Sequence, residues 1–241
     1  MSDIIIKNLY KIYGSDPHAY LSKVKNGMSK QQLQQMHDHV LALNDINLHI
    51  MPKTFQVIIG LEEAGKTTLM KLLSKTIEPT DGELSVNGTT AILNGQCNLF
   101  ENKTVLENIL YGIDEAKTSK AIELLDLVNL LEYKNKYPTV LKKGMEQKVG
   151  LIRAFIKNPD ILLLDECTQY VNESTQEEIL NMLMNLHKEY NKTIVFISHN
   201  IKETLKIADR VAILEDGSLE QEGTPSEILQ NPKTEHIIGR R

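Results

Sequence analysis

The chain has 241 residues, 41% hydrophobic and 24% charged, with a formal net charge of −5. That length and apolar content suffice for a substantial core, and the mixed, mildly acidic charge excludes a protein whose main task is to coat nucleic acid. No run approaches the roughly 18–20 apolar residues of a membrane span, and MSDIIIKNLYK at the start lacks the apolar core of a secretion signal, so the expected location is cytoplasmic.

In chain order, Ile4–Ile6 reads as a strand, followed by a polar insertion from Gly14 to Val40 in which Ser29 is placed to cap a short helix carrying Leu33 and Met36. Ile46–Ile50 and Gly82–Val86 join the first strand in a small antiparallel piece. Phe55–Ile59 is a short, branched apolar run that opens into Gly60 and then a helical segment from about Gly65 to Lys75. Helical periodicity returns at 115–128, 145–157 and 173–189. The runs Ile161–Leu164, Ile194–Ile197 and Val211–Leu214 read as buried strands, each next to a turn or helix. This alternation predicts an α/β fold with a mainly parallel core sheet. Cys97 and Cys167 lie far apart with no CxxC spacing, and are expected to be semi-buried thiols rather than a disulfide framework or zinc site.

Residues Gly60–Thr67, GLEEAGKT, satisfy the spacing G-x-x-x-x-G-K-[ST] between a strand and a helix. Gly60 and Gly65 let backbone N–H groups approach phosphate oxygens, and the helix N-terminus adds positive potential. Lys66 is placed to reach the β- and γ-phosphates of ATP, and the Thr67 hydroxyl to bind Mg2+. The strand Ile161–Leu164 ends in Asp165 and Glu166, the first suited to hold the magnesium water shell and the second to orient or deprotonate the attacking water. Ile194–Ile197 ends in Ser198 and His199, which puts an imidazole at a third strand end.

These residues resemble the ABC transporter ATPases over nearly the whole chain. Within them the sequence is most similar to ATPases of quaternary-amine importers, those for glycine betaine, proline betaine, carnitine or choline. The resemblance is carried by IKNLYKIYG, the insertion ending GMSKQQL, IEPTDGEL, GMEQKVGLIRA, NPDILLLDE, TIVFISH and GTPSEILQNP. It implies a P-loop NTPase fold of ABC type: a single nucleotide-binding domain over 1–241, with the helical insertion at 14–40, an antiparallel β subdomain, and a helical subdomain over about 97–157. It further implies that Tyr13 stacks on adenine, that Thr68 belongs to the nucleotide contacts, that Gln96 links magnesium to the membrane partner, and that His199 is the switch histidine. The segment Leu99–Gly112 is expected to face permease subunits embedded in the membrane. A second copy, or a related ATPase, completes the assembly on the inner face of the cell membrane, and no CBS modules are expected after residue 241.

The chain departs from the family in two loops. Glu62, Glu63 and Ala64 stand where serine, glycine and serine are usual. A carboxylate about 6 Å from a phosphate charge costs roughly 3 kcal/mol at an effective dielectric near 20, about a hundredfold in affinity. The signature loop reads Leu141-Lys142-Lys143-Gly144-Met145, with lysines for the serine and one glycine that the family offers to the opposite subunit's nucleotide. Asn172 stands where an aspartate is usual. The leading expectation is an ATP-hydrolysing importer subunit with weakened turnover. The alternative is a degenerate nucleotide-binding or regulatory module beside a more active partner.

Overall fold

The computed structural model describes residues 2–169, 171–198, 201–234 and 236, without the side chains of 36, 37 and 202–204. In chain order the elements are β1 (Ile4–Tyr13), α1 (His18–Lys25), α2 (Lys30–His37), β2 (Val40–Ile50), β3 (Phe55–Ile59), α3 (Lys66–Leu73), β4 (Asp81–Val86), β5 (Thr90–Asn94), α4 (Val105–Ile109), α5 (Thr118–Leu127), α6 (Lys143–Phe155), β6 (Ile161–Asp165), α7 (Glu173–Tyr190), β7 (Thr193–Ile197), α8 (Ile201–Ile207), β8 (Arg210–Glu215), β9 (Ser218–Gly223) and α9 (Pro225–Gln230). They form two compact units, Met1–Asn87 with Val195–Arg241, and Gly88–Ile194.

In the first unit β1 pairs antiparallel with β2 on one side and β4 on the other, as the apolar alternation predicts. Ile4, Ile6, Leu43, Ile46 and Ile50 turn to its buried face. β3 is buried along its whole length and runs parallel to β8, Val57 opposite Val211 and Ile59 opposite Ile213. Such double-sided burial is why this run is continuously apolar rather than alternating. The insertion folds as α1 and α2. Ser29 and Gln32 exchange the reciprocal bonds of a capping box at the start of α2, and Leu33, fully buried, packs with Tyr10, Ile12, Val24 and Leu41.

In the second unit β5 and β6 pair in parallel, Asn94 opposite Asp165. The helical segment predicted from 115 opens as a 3-10 turn, with the α-helix itself over Thr118–Leu127. The next helix starts at Lys143, two residues earlier than its apolar period suggests. Both cysteines are more deeply buried than expected, Cys167 fully. Burial holds the Cys97 thiol up to about 12 and raises that of Cys167 as well. Asn172 caps α7 by accepting from the Thr175 amide at 2.9 Å.

Asp160, between α6 and β6, accepts from the Thr89 amide at 2.8 Å and the Thr89 hydroxyl at 2.9 Å. These bonds, the amide first, hold its carboxyl below the ordinary range. A carboxylate depressed in the folded state stabilises above its unfolded pKa, and that contribution disappears as pH falls through the folded value. Asp160→Asn is therefore expected to lower the urea midpoint at pH 7, with the gap to the unaltered protein closing once the pH drops below about 4. A gap independent of pH would show that the charge does not matter.

Candidate functional site

The phosphate loop lies between β3 and α3 in the first unit. Two of its glycines are sterically required: a Cβ on Gly60 would sit 2.3 Å from the Leu214 carbonyl oxygen, and one on Gly65, which has φ +97°, would sit 2.5 Å from that of Ala42. Glu63 holds φ +61°, a left-handed conformation that ordinary side chains disfavour, at the position where the sequence comparison anticipates a lost glycine.

Four loop carbonyls are capped from within the unit. Lys66, buried to 4% exposure, lays its Nζ 2.9 Å from Gly60 O and 2.7 Å from Leu61 O. Leu61 O also accepts from the Ala64 amide at 3.3 Å, and Ala64 O accepts from the Gly217 amide at 3.2 Å. Glu63 O accepts from Lys30 Nζ at 3.0 Å. The carbonyls are thus turned into protein contacts, and α3 starts at Lys66 with no side chain capping its amides. Such amides at a helix start form an anion site. Tyr13 Oη lies 3.4 Å from Thr68 Oγ1, beside this helix, and the Tyr13 ring is half-buried. Thr67, Glu62 and Glu63 are exposed and Ala64 is buried.

The second unit carries the remaining predicted residues. Asp165 ends β6 at 9% exposure. Glu166 follows, half-buried with φ +54°, its carbonyl accepting from the Gln169 amide at 3.2 Å. Gln96 is exposed just after β5. Its loop is tied to α6 by residues that sequence reasoning missed. Gln147 Nε2 donates to Gly95 O at 2.6 Å, Cys97 Sγ donates to Gln147 Oε1 at 2.9 Å, and Arg153 donates to the carbonyls of Asn98, at 3.2 Å, and Cys97. The available signal was a glutamine on the apolar face of a helix, in register with Gly150, Leu151 and Ala154. The same helix begins within the stretch Leu141–Met145. Lys142 and Lys143 are exposed, Lys143 pairing with Glu146 at 3.3 Å. A Cβ on Gly144 would meet Thr175 Cγ2 at 2.2 Å, so this glycine permits the close approach of α6 to the start of α7. His199 lies outside the described residues.

The donors singled out for a metal are the Thr67 hydroxyl, the Asp165 carboxylate and the Gln96 amide oxygen. All are hard oxygens of the kind that suits Mg2+, which takes few protein ligands and keeps water and phosphate oxygens. The described residues hold no group of three or more His, Cys, Asp or Glu that could hold a metal ion. Within each unit the donors are chemically suited to Mg2+.

Replacing Gln147 by leucine keeps the volume but strips the Gly95 carbonyl of its donor. An unsatisfied polar group of this kind costs about 1–3 kcal/mol. Gln147→Leu is expected to lose that much unfolding free energy in a urea titration, and an unchanged midpoint would show that the Gln96 loop does not depend on α6.

A family model described as ABC transporter matches residues 43–169. The glycine betaine/proline betaine transport system ATP-binding protein ProV of Escherichia coli is 36% identical, over 96% of this chain and 64% of its own. The glycine betaine transport ATP-binding protein OpuAA of Bacillus subtilis is 33% identical, over 97% and 62%, and the trimethylamine N-oxide transport system ATP-binding protein TmoW of Pelagibacter ubique is 30% identical, over 98% and 76%. The chain therefore spans a little under two thirds of the first two relatives. Among solved structures, a dimeric bacterial ABC transporter cassette matches with a TM-score of 0.76 at 25% identity, covering 92% of this chain and 98% of that one. A cassette dimer bound to ADP and Pi gives the same TM-score at 24% identity. The fold expected from the sequence is the fold of these cassettes.

Proposed function

The chain belongs to the ABC transporter family, and from that premise we propose that it is the ATP-binding and ATP-hydrolysing subunit of an importer for a quaternary amine such as glycine betaine, carnitine or choline. The observation that carries the ATP chemistry is the loop between β3 and α3, whose carbonyls are capped by Lys66, Lys30 and Gly217 ahead of a helix start without a side-chain cap. The substrate class rests on the relatives and on the insertion motif.

Each unit brings its own share of the machinery. In the first, the amides at the start of α3 bind phosphate oxygens, and Lys66 moves its ammonium from the Gly60 and Leu61 carbonyls to the β- and γ-phosphates. Tyr13 offers a ring face to adenine, and the Thr67 hydroxyl offers an oxygen to the metal. In the second, Asp165 and Gln96 supply oxygen donors for Mg2+, and Glu166 orients the attacking water and takes its proton. His199 is the group assigned to the γ-phosphate. Bound magnesium would neutralise charge building on the phosphate oxygens. The permease would meet the Leu99–Gly112 segment. There Phe100 and Tyr111 pack with ring centroids 4.5 Å apart while 39% and 54% exposed, an aromatic surface of the kind enriched in protein interfaces.

The degenerate-module reading draws on Glu63, a carboxylate in the left-handed loop position, and on the lysines of the signature loop. Phosphate release from Mg-ATP, followed across protein concentration with Glu166→Gln as control, separates the two. Turnover that climbs with concentration and drops by at least about 10^3-fold in the control is expected of a composite site using a carboxylate base. Activity no greater than the control would favour the module.

The altered loops have a reading of their own: in a dimer of two copies, exposed Glu62 and Glu63 of one face exposed Lys142 and Lys143 of the other, opposite charges meeting where nucleotide joins the halves. Reversing the charges of one loop is expected to weaken dimerisation, and reversing both to restore it, with coupling of about 0.5–3 kcal/mol in sedimentation-derived dissociation constants. Additive effects in that cycle would leave the four side chains as solvent-facing charges.

A further inference from the structure

The phosphate loop is strained at one residue, and that residue is held by a side chain from a distant part of the sequence. Leu61–Ala64 forms a tight turn closed by the Ala64 amide on Leu61 O. Of its two central residues only Glu63 has positive φ, the pattern of a type II turn, which favours glycine at this position. Lys30 Nζ donates to the Glu63 carbonyl at 3.0 Å and so engages the peptide that follows the strained residue.

Lys30 is well rooted for this task. It is the first residue of α2, inside the Ser29–Gln32 capping box, and one turn before Leu33, which anchors the helix in the apolar cluster with Tyr10, Ile12 and Leu41. Its side chain is only 22% exposed, and Asp216, 87% exposed, lies 3.9 Å from the ammonium. A groove of about 480 Å3 lined by Ser29, Lys30, Asn44, Glu63, Asp216 and Ser218 runs between the insertion and the loop. A cation on a fixed root loses little freedom when it caps a carbonyl, so more of the bond is available to hold the turn.

We propose that Lys30 is a positioning residue of the nucleotide site: by capping the Glu63 carbonyl it fixes the Glu63–Ala64 peptide, and with it the phosphate loop, to the insertion. The insertion then has a role inside its own unit, and the inference rests on the nucleotide reading only for its effect on affinity.

The test compares the unaltered protein with Lys30→Met, Lys30→Arg and Asp216→Asn by two measurements: amide hydrogen exchange of the peptide spanning 60–68 without nucleotide, and Mg-ATP binding by calorimetry. Lys30→Met is expected to speed exchange of the loop amides about tenfold and to raise the Kd for Mg-ATP about tenfold, with exchange in the central strands and the Tm little changed. Lys30→Arg, which keeps a donor, restores both to within about threefold, and Asp216→Asn leaves both alone. Should Lys30→Met fail to fold, Lys30→Gln takes its place in the same comparison. Loop exchange unchanged by loss of the ammonium would overturn the proposal, as would an Asp216→Asn variant behaving like Lys30→Met, because the ion pair would then be the operative contact. Faster loop exchange in Lys30→Met together with no Mg-ATP binding by the unaltered protein upholds the Lys30 contact and overturns the nucleotide reading.

Discussion

A loop that offers its backbone amides to an anion must dispose of the matching carbonyls, because an uncapped carbonyl facing the same cavity would repel the anion and a buried one without a donor is costly. Much of the first unit serves that requirement. Lys66 takes two carbonyls, the Gly217 amide takes a third, and Lys30 takes a fourth from outside the motif. Gly60 and Gly65 have no space for a Cβ because the chain passes tightly against Leu214 and Ala42. Burial of Lys66 follows from the same demand, since an ammonium at 4% exposure is tolerable only with acceptors around it. It is thereby stored beside the place where a phosphate would take over those bonds.

The second unit solves a different problem, which is to place an exposed amide side chain reproducibly. Gln96 itself is exposed, while the residues on either side are bonded to α6 through Gln147 and Arg153. Through these bonds a rotation of α6 would carry the Gln96 loop with it. The buried thiol of Cys97 contributes by donating to Gln147, and its raised pKa keeps that proton in place near neutral pH.

Reading the sequence recovered those features whose signals are local. The P-loop spacing, the capping role of Ser29, the continuous apolar runs of β3 and β6, and the α/β class all depend on short stretches whose physics is nearly independent of the rest of the chain. β5 escaped notice because Thr90–Asn94 is short and only alternately buried, and β9 because Ser218–Gly223 is mostly polar on the far side of β8. Lys30 and Gln147 were missed for another reason. Each acts through a backbone carbonyl 33 or 52 residues away, and carbonyls leave no mark in a sequence. The altered residue Glu63 was visible; the lysine that caps its carbonyl was not.

That asymmetry bears on how the departures from the family pattern should be weighed. Taken from sequence, Glu62 and Glu63 are a charge penalty and a lost glycine, and both count against nucleotide binding. In the fold, both side chains lie at the surface, where solvent screening reduces the electrostatic cost below that of a buried pair. The Glu63 carbonyl, for its part, accepts from a charged donor rooted in a helix. A loop that had simply decayed would have no reason to keep its carbonyls capped, its two space-limited glycines and its buried lysine together. The retained geometry is that of a loop able to turn its amides toward an anion, and the charge that the two glutamates add is carried at the surface of that loop.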